Sequence, residues 1–251
     1  MKKLIILMGV IMPFVSLSQN QGSVVFEEKR KLELDFDGPN GQAIKSRMPE
    51  SISAKNQLLF NNEYSIFRSY KDKAAEDVEM LNQEQDGGMV INIKRPESFV
   101  FRDLGKKEVV ESREFFGKQF LISRSKPNPW KIFPEKRTIL GYQCQKAMLV
   151  IEEGEEAVSA WFALIIPVST GPATYGGLPG MILLLDIGEG RMTYSAVEIQ
   201  TETVDQSLLK APKNGKKVSR EEFQEIVEKR MAEQKEISGN GGMMIRRIER
   251  Q

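Results

Sequence analysis

The sequence predicts a mainly β, or β-rich α+β, protein: a curled antiparallel sheet, as a sandwich or partial barrel, with one C-terminal helix docked on it. Three observations support this fold class. Apolar segments of strand length recur along most of the chain, and glycine, proline and asparagine separate them. A helical pattern with a capping motif stands near the C-terminus, over about residues 219–238.

The start of the chain has the three parts of a secretory signal peptide. Two lysines at positions 2 and 3 precede an apolar run over 4–15 that is too short to span a bilayer. Ser16 and Ser18 then give the small-x-small pattern of a cleavage site. We predict cleavage between Ser18 and Gln19 and export to the periplasm or the medium, whereas a buried N-terminal helix is the alternative. N-terminal sequencing of the exported protein checks this.

Cysteine content and charge narrow the class of protein further. The one cysteine, Cys144, cannot form an intramolecular disulfide, and it stands far from the site where a lipoprotein would carry its anchor. We therefore expect a protein without a lipid anchor. The chain has 36 Lys+Arg against 35 Asp+Glu, whereas a nucleic-acid-binding protein would carry a clear basic excess. We predict one domain over 19–239 and a flexible tail over 240–251.

The first strands are indicated by alternation and by turn residues. The segment 22–37 is rich in valine, phenylalanine and leucine, and over 32–36 leucine and phenylalanine alternate with acidic residues. This predicts a half-buried strand that ends in a Gly-Pro-Asn-Gly turn. Apolar segments at 58–60 and 64–70 flank an Asn-Asn-Glu turn and predict a hairpin. The stretch 71–88 is polar and charged, and we interpret it as a mobile excursion or an edge insertion.

The remaining strands follow the same pattern. Between residues 126 and 130, the sequence Lys-Pro-Asn-Pro-Trp predicts a rigid connector, because its two prolines restrict φ and remove backbone donors. Further strands are predicted at 89–94, 98–103, 108–116, 119–124, 144–151, 157–166, 181–187 and 192–203.

The C-terminal helix has a clear start. Ser219 and Glu222 have the spacing of a capping box, in which each side chain accepts a hydrogen bond from the other residue's backbone N–H. Val218 and Phe223 stand at the positions of a hydrophobic staple. Apolar residues then recur at helical spacing, which favours docking on the sheet; a partner-binding helix is the alternative. They are Phe223, Ile226, Val227 and Met231.

The absence of histidine from the sequence restricts the possible chemistry. It excludes a Ser-His-Asp triad, a Cys-His pair, an HExxH zinc site and a facial-triad iron site. Cys144 has no imidazole to deprotonate it, so we expect a structural thiol. No cofactor or metal site is indicated. Carboxylate chemistry of the glycosidase kind stays open, because two acids can be far apart in sequence.

A dense set of glycines, prolines and aromatic residues lies between positions 130 and 182. It consists of Trp130, Gly141, Tyr142, Cys144, Lys146, Ala147, Trp161, Pro167, Gly171, Pro172, Tyr175, Gly177, Leu178, Pro179, Gly180, Met181 and Ile182. In the order and spacing of these residues the chain resembles the GLPGLI family of exported proteins from Gram-negative bacteria. The motif that names the family stands here at 177–182, with Met181 in place of the usual leucine.

The resemblance implies two things about function. The family has no established biochemical activity, and its genes often stand beside those of outer-membrane TonB-dependent transporters. The first hypothesis is therefore a non-enzymatic exported binding or accessory protein that serves such a transporter. The second is a carboxylate-dependent hydrolase of periplasmic glycans. Two facing acids in a deep cleft favour the hydrolase, whereas an apolar groove or a flat aromatic patch favours binding.

The composition of the motif favours a structural role. We expect Gly177 and Gly180 to have backbone conformations that a Cβ disfavours, and Leu178 to reach the core. Aromatic side chains would pack around this loop: Trp130, Tyr142, Trp161 and Tyr175. The alternative is that the same loop frames a surface for a ligand or partner.

Overall fold

The structure is a computed structural model that describes residues 20–32, 49–70, 99–151 and 156–237. Several sequence predictions lie outside these residues. They are the leader with its cleavage site at Ser18 and Gln19, the end of the first strand after residue 32, the insertion at 71–88, the strand at 89–94 and the tail at 240–251.

Twelve strands of the described residues form one sheet. They are β1 (Gly22–Lys31), β2 (Ser51–Phe60), β3 (Tyr64–Ser69), β4 (Phe99–Asp103), β5 (Glu108–Phe115), β6 (Lys118–Arg124), β7 (Trp130–Ile139), β8 (Tyr142–Leu149), β9 (Val158–Ala163), β10 (Met181–Ile187), β11 (Met192–Gln200) and β12 (Lys216–Ser219). A short 3-10 turn covers Gln206–Leu208, and the α-helix α1 covers Arg220–Ile237.

The sheet consists of two antiparallel meanders. Strands β1 to β6 form the N-terminal meander and β7 to β11 form the C-terminal meander, each with neighbours in chain order. Antiparallel pairing of β1 with β11 joins them, and β12 adds a parallel strand beside β6. The predicted curled antiparallel sheet is therefore confirmed. The twelve strands form a single open sheet, in which only β12 is parallel to its neighbour.

The connection from β6 to β7 shows how strongly the sheet curls. The two strands lie ten strand spacings apart, which would be roughly 48 Å in a flat sheet. The connector 125–129 can span at most about 22 Å between Arg124 and Trp130. The ends of the two meanders must therefore approach each other, and we call the gap between β6 and β7 the seam.

Two strands were not predicted, and a third is longer than expected. Strand β7 begins at Trp130, which the sequence placed in the connector. It lies at the edge of the sheet and contains Pro134 and a bulge between Ile132 and Lys136, so the usual alternation is missing. Strand β2 starts at Ser51, seven residues before the predicted start at 58. Its first half is mostly polar, so no apolar segment in the sequence indicates a strand there. Strand β12 has only four residues.

Helix α1 confirms the predicted start and the predicted docking. Backbone N of Ser219 donates to the Glu222 carboxylate at 2.7 Å, and backbone N of Glu222 donates to Ser219 Oγ at 3.1 Å. Phe223 packs edge-on against the rings of Phe115 and Phe120, so the helix is held on β5 and β6. No described helix is long and apolar enough to cross a bilayer.

The main core draws on both meanders. Phe26, Phe60 and Phe67 come from the N-terminal meander, and Phe162 and Leu185 come from the C-terminal one. The connection between β9 and β10 adds three side chains that are almost completely buried: Ile166, Val168 and Leu178. This connection is therefore part of the core rather than a surface excursion.

Candidate functional site

Residues 164–180 connect β9 to β10 and contain the first four residues of the family motif. We call this connection the Gly-Leu-Pro-Gly loop. The loop folds back on the start of β10: Met181 N donates to Ile166 O, and Ile182 N donates to Thr170 O, each at 3.0 Å. Gly171 is required by this packing, because a Cβ there would lie 2.7 Å from Cβ of Ile182. The loop thus has a defined path along β10.

A row of side chains across the N-terminal meander receives the loop. Ser65, Arg102, Val109 and Arg124 are opposite one another on β3, β4, β5 and β6, so their side chains share one face of the sheet. The hydroxyls of Ser65 and Thr170 are 2.7 Å apart, a hydrogen-bond distance. The middle of the loop is therefore hydrogen-bonded to β3.

Further along, the loop reaches both sides of the seam. Arg102 Nη2 donates to Thr174 O at 3.0 Å from the N-terminal meander. Trp130 Nε1, at the start of β7, donates to Gly176 O at 2.8 Å. Asn128 of the connector approaches the same oxygen at 3.4 Å. The loop therefore holds the two meanders together across the seam.

The two outer glycines of the motif have different reasons for being glycine. Gly177 has φ +92°, in the left-handed region, in agreement with the sequence prediction. Gly180 does not have a positive φ, so that part of the prediction is wrong. A Cβ is excluded at Gly180 because it would overlap the carbonyl oxygen of Ala163. Between them Leu178 is only 1% exposed and belongs to the main core, as predicted.

The other motif residues have separate positions. The four predicted aromatic residues, Trp130, Tyr142, Trp161 and Tyr175, are half-buried at the margin of the main core. Pro167 and Pro179 are exposed, whereas Pro172, Met181 and Ile182 are buried. Gly141 forms the β7–β8 turn with Leu140, and both have positive φ. In the same hairpin Ala147 is buried and Lys146 lies 3.8 Å from Glu135. The motif residues from Pro167 to Gly180 thus lie in one loop, which Trp130 contacts. The motif residues of the β7–β8 hairpin lie away from this loop.

Cys144 is fully buried in β8. Its Sγ lies 3.5 Å from Tyr142 O, and burial raises the pKa of the thiol to about 11, despite the opposing charge of Arg137. A thiol with this pKa is a poor nucleophile at neutral pH. Cys144 therefore acts as a small core side chain.

We expect the Cys144 thiol to be unreactive in the folded protein. With a pKa of about 11, roughly one thiol in a thousand is ionised at pH 8, and the sulfur is also shielded. A colorimetric thiol reagent at pH 8 should label it only after denaturant is added. Rapid stoichiometric labelling under native conditions would contradict this placement.

Exposed apolar side chains lie along one edge of the C-terminal meander, the edge at which β7 and β9 end and β8 and β10 begin. Leu164 and Ile165, just after β9, are 53% and 56% exposed, and Leu140 in the β7–β8 turn is 47% exposed. Because Ala163 lies opposite both Cys144 and Met181, the β7–β8 turn and Pro179 are at this same edge. We call Leu140, Leu164, Ile165 and Pro179 the apolar edge. This surface is not evident from the sequence, in which residues 164–166 have the pattern of a strand.

Two clefts stand out among the described residues, and they differ in chemistry. The larger, about 450 Å³, is lined mostly by amides with one carboxylate: Asn20, Gln21, Asn61, Asn62, Glu63 and Gln206. The smaller, about 210 Å³, is lined by apolar side chains and cations: Phe115, Phe116, Lys118, Phe120, Lys216, Ile226 and Arg230. Within the described residues no group of three or more Cys, Asp or Glu side chains is arranged to hold a metal ion.

Comparison with known proteins gives one family match. Residues 150–184 match a family model described as a protein of unknown function (Porph_ging). The matched segment contains β9, the whole Gly-Leu-Pro-Gly loop and the first four residues of β10. No curated protein matches the chain.

Solved structures give a likeness in fold. PNGF-II, in crystal forms of space groups P21 and C2, is similar to this chain with a TM-score of 0.53 in each case, at 15% and 16% identity. The similarity covers 84% and 83% of this chain but only 34% and 33% of PNGF-II, so the chain spans about a third of that protein. An uncharacterized conserved protein from Thermus thermophilus has a TM-score of 0.39 at 10% identity, over 82% of this chain and 93% of its own.

Proposed function

We propose that this protein is a non-enzymatic exported binding or accessory protein, and that it docks a partner protein of the cell envelope through the apolar edge. The observation that supports this most is the exposure of Leu164 and Ile165 side by side in an ordered turn. Large aliphatic side chains that are held in water in this way are typical of protein interaction sites. Burial of the exposed half of each side chain would contribute about 1 kcal/mol to a complex.

The turn that carries Leu164 and Ile165 is held on both sides. Ala163 and Ile166 are completely buried, and Ile166 N donates to Ala163 O at 3.3 Å. The backbone of Gly180 packs against the carbonyl of Ala163 and against Leu164 Cα. The two side chains therefore cannot fold inward. A preorganised apolar surface binds a partner with little entropy cost.

The proposed location and partner depend on the sequence. The leader pattern at 1–18 favours export to the periplasm or the medium. The resemblance to the GLPGLI family supports an outer-membrane TonB-dependent transporter as the partner. An accessory protein of this kind acts by contact and needs no catalytic group.

The glycan hydrolase alternative has less support from the described residues. A glycosidase places two carboxyl groups across a cleft, roughly 5–9.5 Å apart. One of the two clefts is lined by a single carboxylate, Glu63, and the other by none. The buried carboxylate of Glu28 accepts a hydrogen bond from Asn56 at 3.0 Å and lies 3.4 Å from Arg30. Such partners favour a structural role for this acid.

A photo-crosslinking experiment tests the docking surface. A photoreactive phenylalanine analogue placed at Ile165 in cells should give one adduct of defined mass with an envelope protein. A second side chain of similar exposure, Val197 on β11 at 43%, provides the matched control position and should give no such adduct. Adding Leu164→Asp should abolish the adduct at Ile165 without lowering the melting temperature, because Leu164 is exposed. Equal labelling at both positions, or none at Ile165, contradicts the proposal.

A further inference from the structure

Arg102 has an unusual environment for a charged side chain. It is only 9% exposed, and its one hydrogen bond within the described residues is the one to the neutral carbonyl oxygen of Thr174. No described carboxylate forms an ion pair with it. Burial, and then the charge of Arg124, lower the pKa of Arg102 to about 10. A buried guanidinium beside a second cation is unfavourable unless an anion compensates it.

The two arginines are placed to act on one ligand. Arg102 and Arg124 both lie opposite Val109, on either side of it, so their Cα atoms are about 10 Å apart and their side chains share one face. Arg124 is half-buried at the seam and donates to Asn128 Oδ1 at 3.1 Å. One hydrogen bond leaves most of the five N–H donors of each guanidinium available.

The environment of the pair leaves room for a ligand group. Within the described residues, Nε of Arg191 is the only side-chain nitrogen or oxygen that is sealed from solvent without a hydrogen-bond partner. The unbonded nitrogens of Arg102 therefore keep contact with solvent. Among nearby acids, Asp103 neighbours Arg102 in sequence but points to the opposite face and binds Lys106. Glu221, on the exposed start of α1, interacts electrostatically with Arg124 and Lys126 without an ion-pair contact.

A structural role alone explains Arg102 poorly. A neutral donor could hold Thr174 O equally well and would not bury a charge. The loop also makes room for the guanidinium, because a Cβ at Gly176 would lie 2.8 Å from Cζ of Arg102. Glycine at this position lets the planar group lie directly against the loop backbone. Glycine at position 176 thus leaves the space that the Arg102 guanidinium fills.

We propose that Arg102 and Arg124 bind an oxyanion, the carboxylate or phosphate group of a small ligand, at the seam beneath the Gly-Leu-Pro-Gly loop. Arginine is suited to this because its planar fork donates two parallel hydrogen bonds to such groups. The site is separate from the apolar edge and adds a small-molecule ligand to the proposed docking function. Each of the two can therefore fail without the other.

Calorimetric titration of the purified protein tests the site, with inorganic phosphate in one arm and acetate in the other. Sodium chloride balances the ionic strength in both. We expect saturable binding in at least one arm, which also identifies the preferred group. Arg124→Gln should weaken binding about tenfold or more, through loss of a charge-assisted hydrogen bond. Arg102→Gln should abolish it. Arg68→Gln on β3, where Arg68 binds the neutral Gln57, is the matched control and should bind like the parent.

Three results would overturn the proposal. One is heat in both arms no greater than that of sodium chloride at equal ionic strength. Another is an unchanged affinity in Arg124→Gln, which removes a half-buried side chain and is expected to fold. The third is equal weakening in Arg68→Gln, which would indicate general charge attraction. If Arg102→Gln does not fold, Arg124→Gln decides, because it leaves Arg102 and its hydrogen bond to the loop in place.

Discussion

Leu178→Ala is expected to lower the free energy of unfolding by about 2–5 kcal/mol, as large-to-small substitutions in cores do. The side chain is almost completely buried in the core that both meanders share. Its removal leaves a cavity beneath the loop, which Ser65, Arg102 and Trp130 anchor on either side of the seam. Because the loop is anchored, it cannot collapse fully into that cavity. Urea denaturation of the purified variant beside the parent measures the effect.

Leu164→Ala is the matched control for this prediction. It makes the same chemical change in the same loop, but the side chain is more than half exposed. We expect a change within about 0.5 kcal/mol, as for other surface substitutions. Equal stability losses in the two variants, or none in Leu178→Ala, would show that the loop does not contribute to the core as described.

Gly180→Ala is expected to cost about 1–3 kcal/mol or more, the range for overpacking in a well-packed interior. The added Cβ would overlap the carbonyl oxygen of Ala163, and backbone cannot move aside as a flexible side chain can. Either the end of β9 or the start of β10 must shift. Thermal unfolding should show a lower melting temperature, and the yield of exported protein should fall with it.

Gly105→Ala is the matched control, because it makes the same substitution at a glycine without a close backbone contact. Neither Gly105 nor Gly180 has a positive φ, so backbone strain is not at issue in either. A Cβ at Gly105 would lie 3.5 Å from Asp103 Oδ1, which is an ordinary van der Waals contact. We expect its melting temperature to stay close to that of the parent. A parent-like melting temperature in Gly180→Ala as well would contradict the close packing of the loop on β9.

Local signals allowed much of the fold to be predicted. The capping box at Ser219 and Glu222 depends on residues three apart, and the structure has it in the expected form. Most strands were found from apolar segments and turns. Strand β7 was not, because an edge strand with Pro134 and several charges has little alternation. The match of residues 150–184 to a family of unknown function overlaps the second part of the segment 130–182 that was singled out from the sequence.

The sites depend on contacts that the sequence does not show. Ser65, Arg102 and Arg124 come from three strands, and they share a row only because of the pairing register. The strand predicted over 157–166 ends at Ala163, and this early end is what exposes Leu164 and Ile165. Register and strand ends are set by tertiary packing, so neither the arginine pair nor the apolar edge could be derived from spacing.

Hydrogen exchange of Leu178→Ala beside the parent, below the melting temperature, tests most directly whether the loop holds the two meanders together. Amides of β3 and β4 on one side of the seam, and of β7 on the other, should lose protection together with the loop, because they share its anchors. The β1–β2 pair, far from the seam, should change least. Faster exchange confined to 164–180, with β3, β4 and β7 as protected as in the parent, would contradict this account.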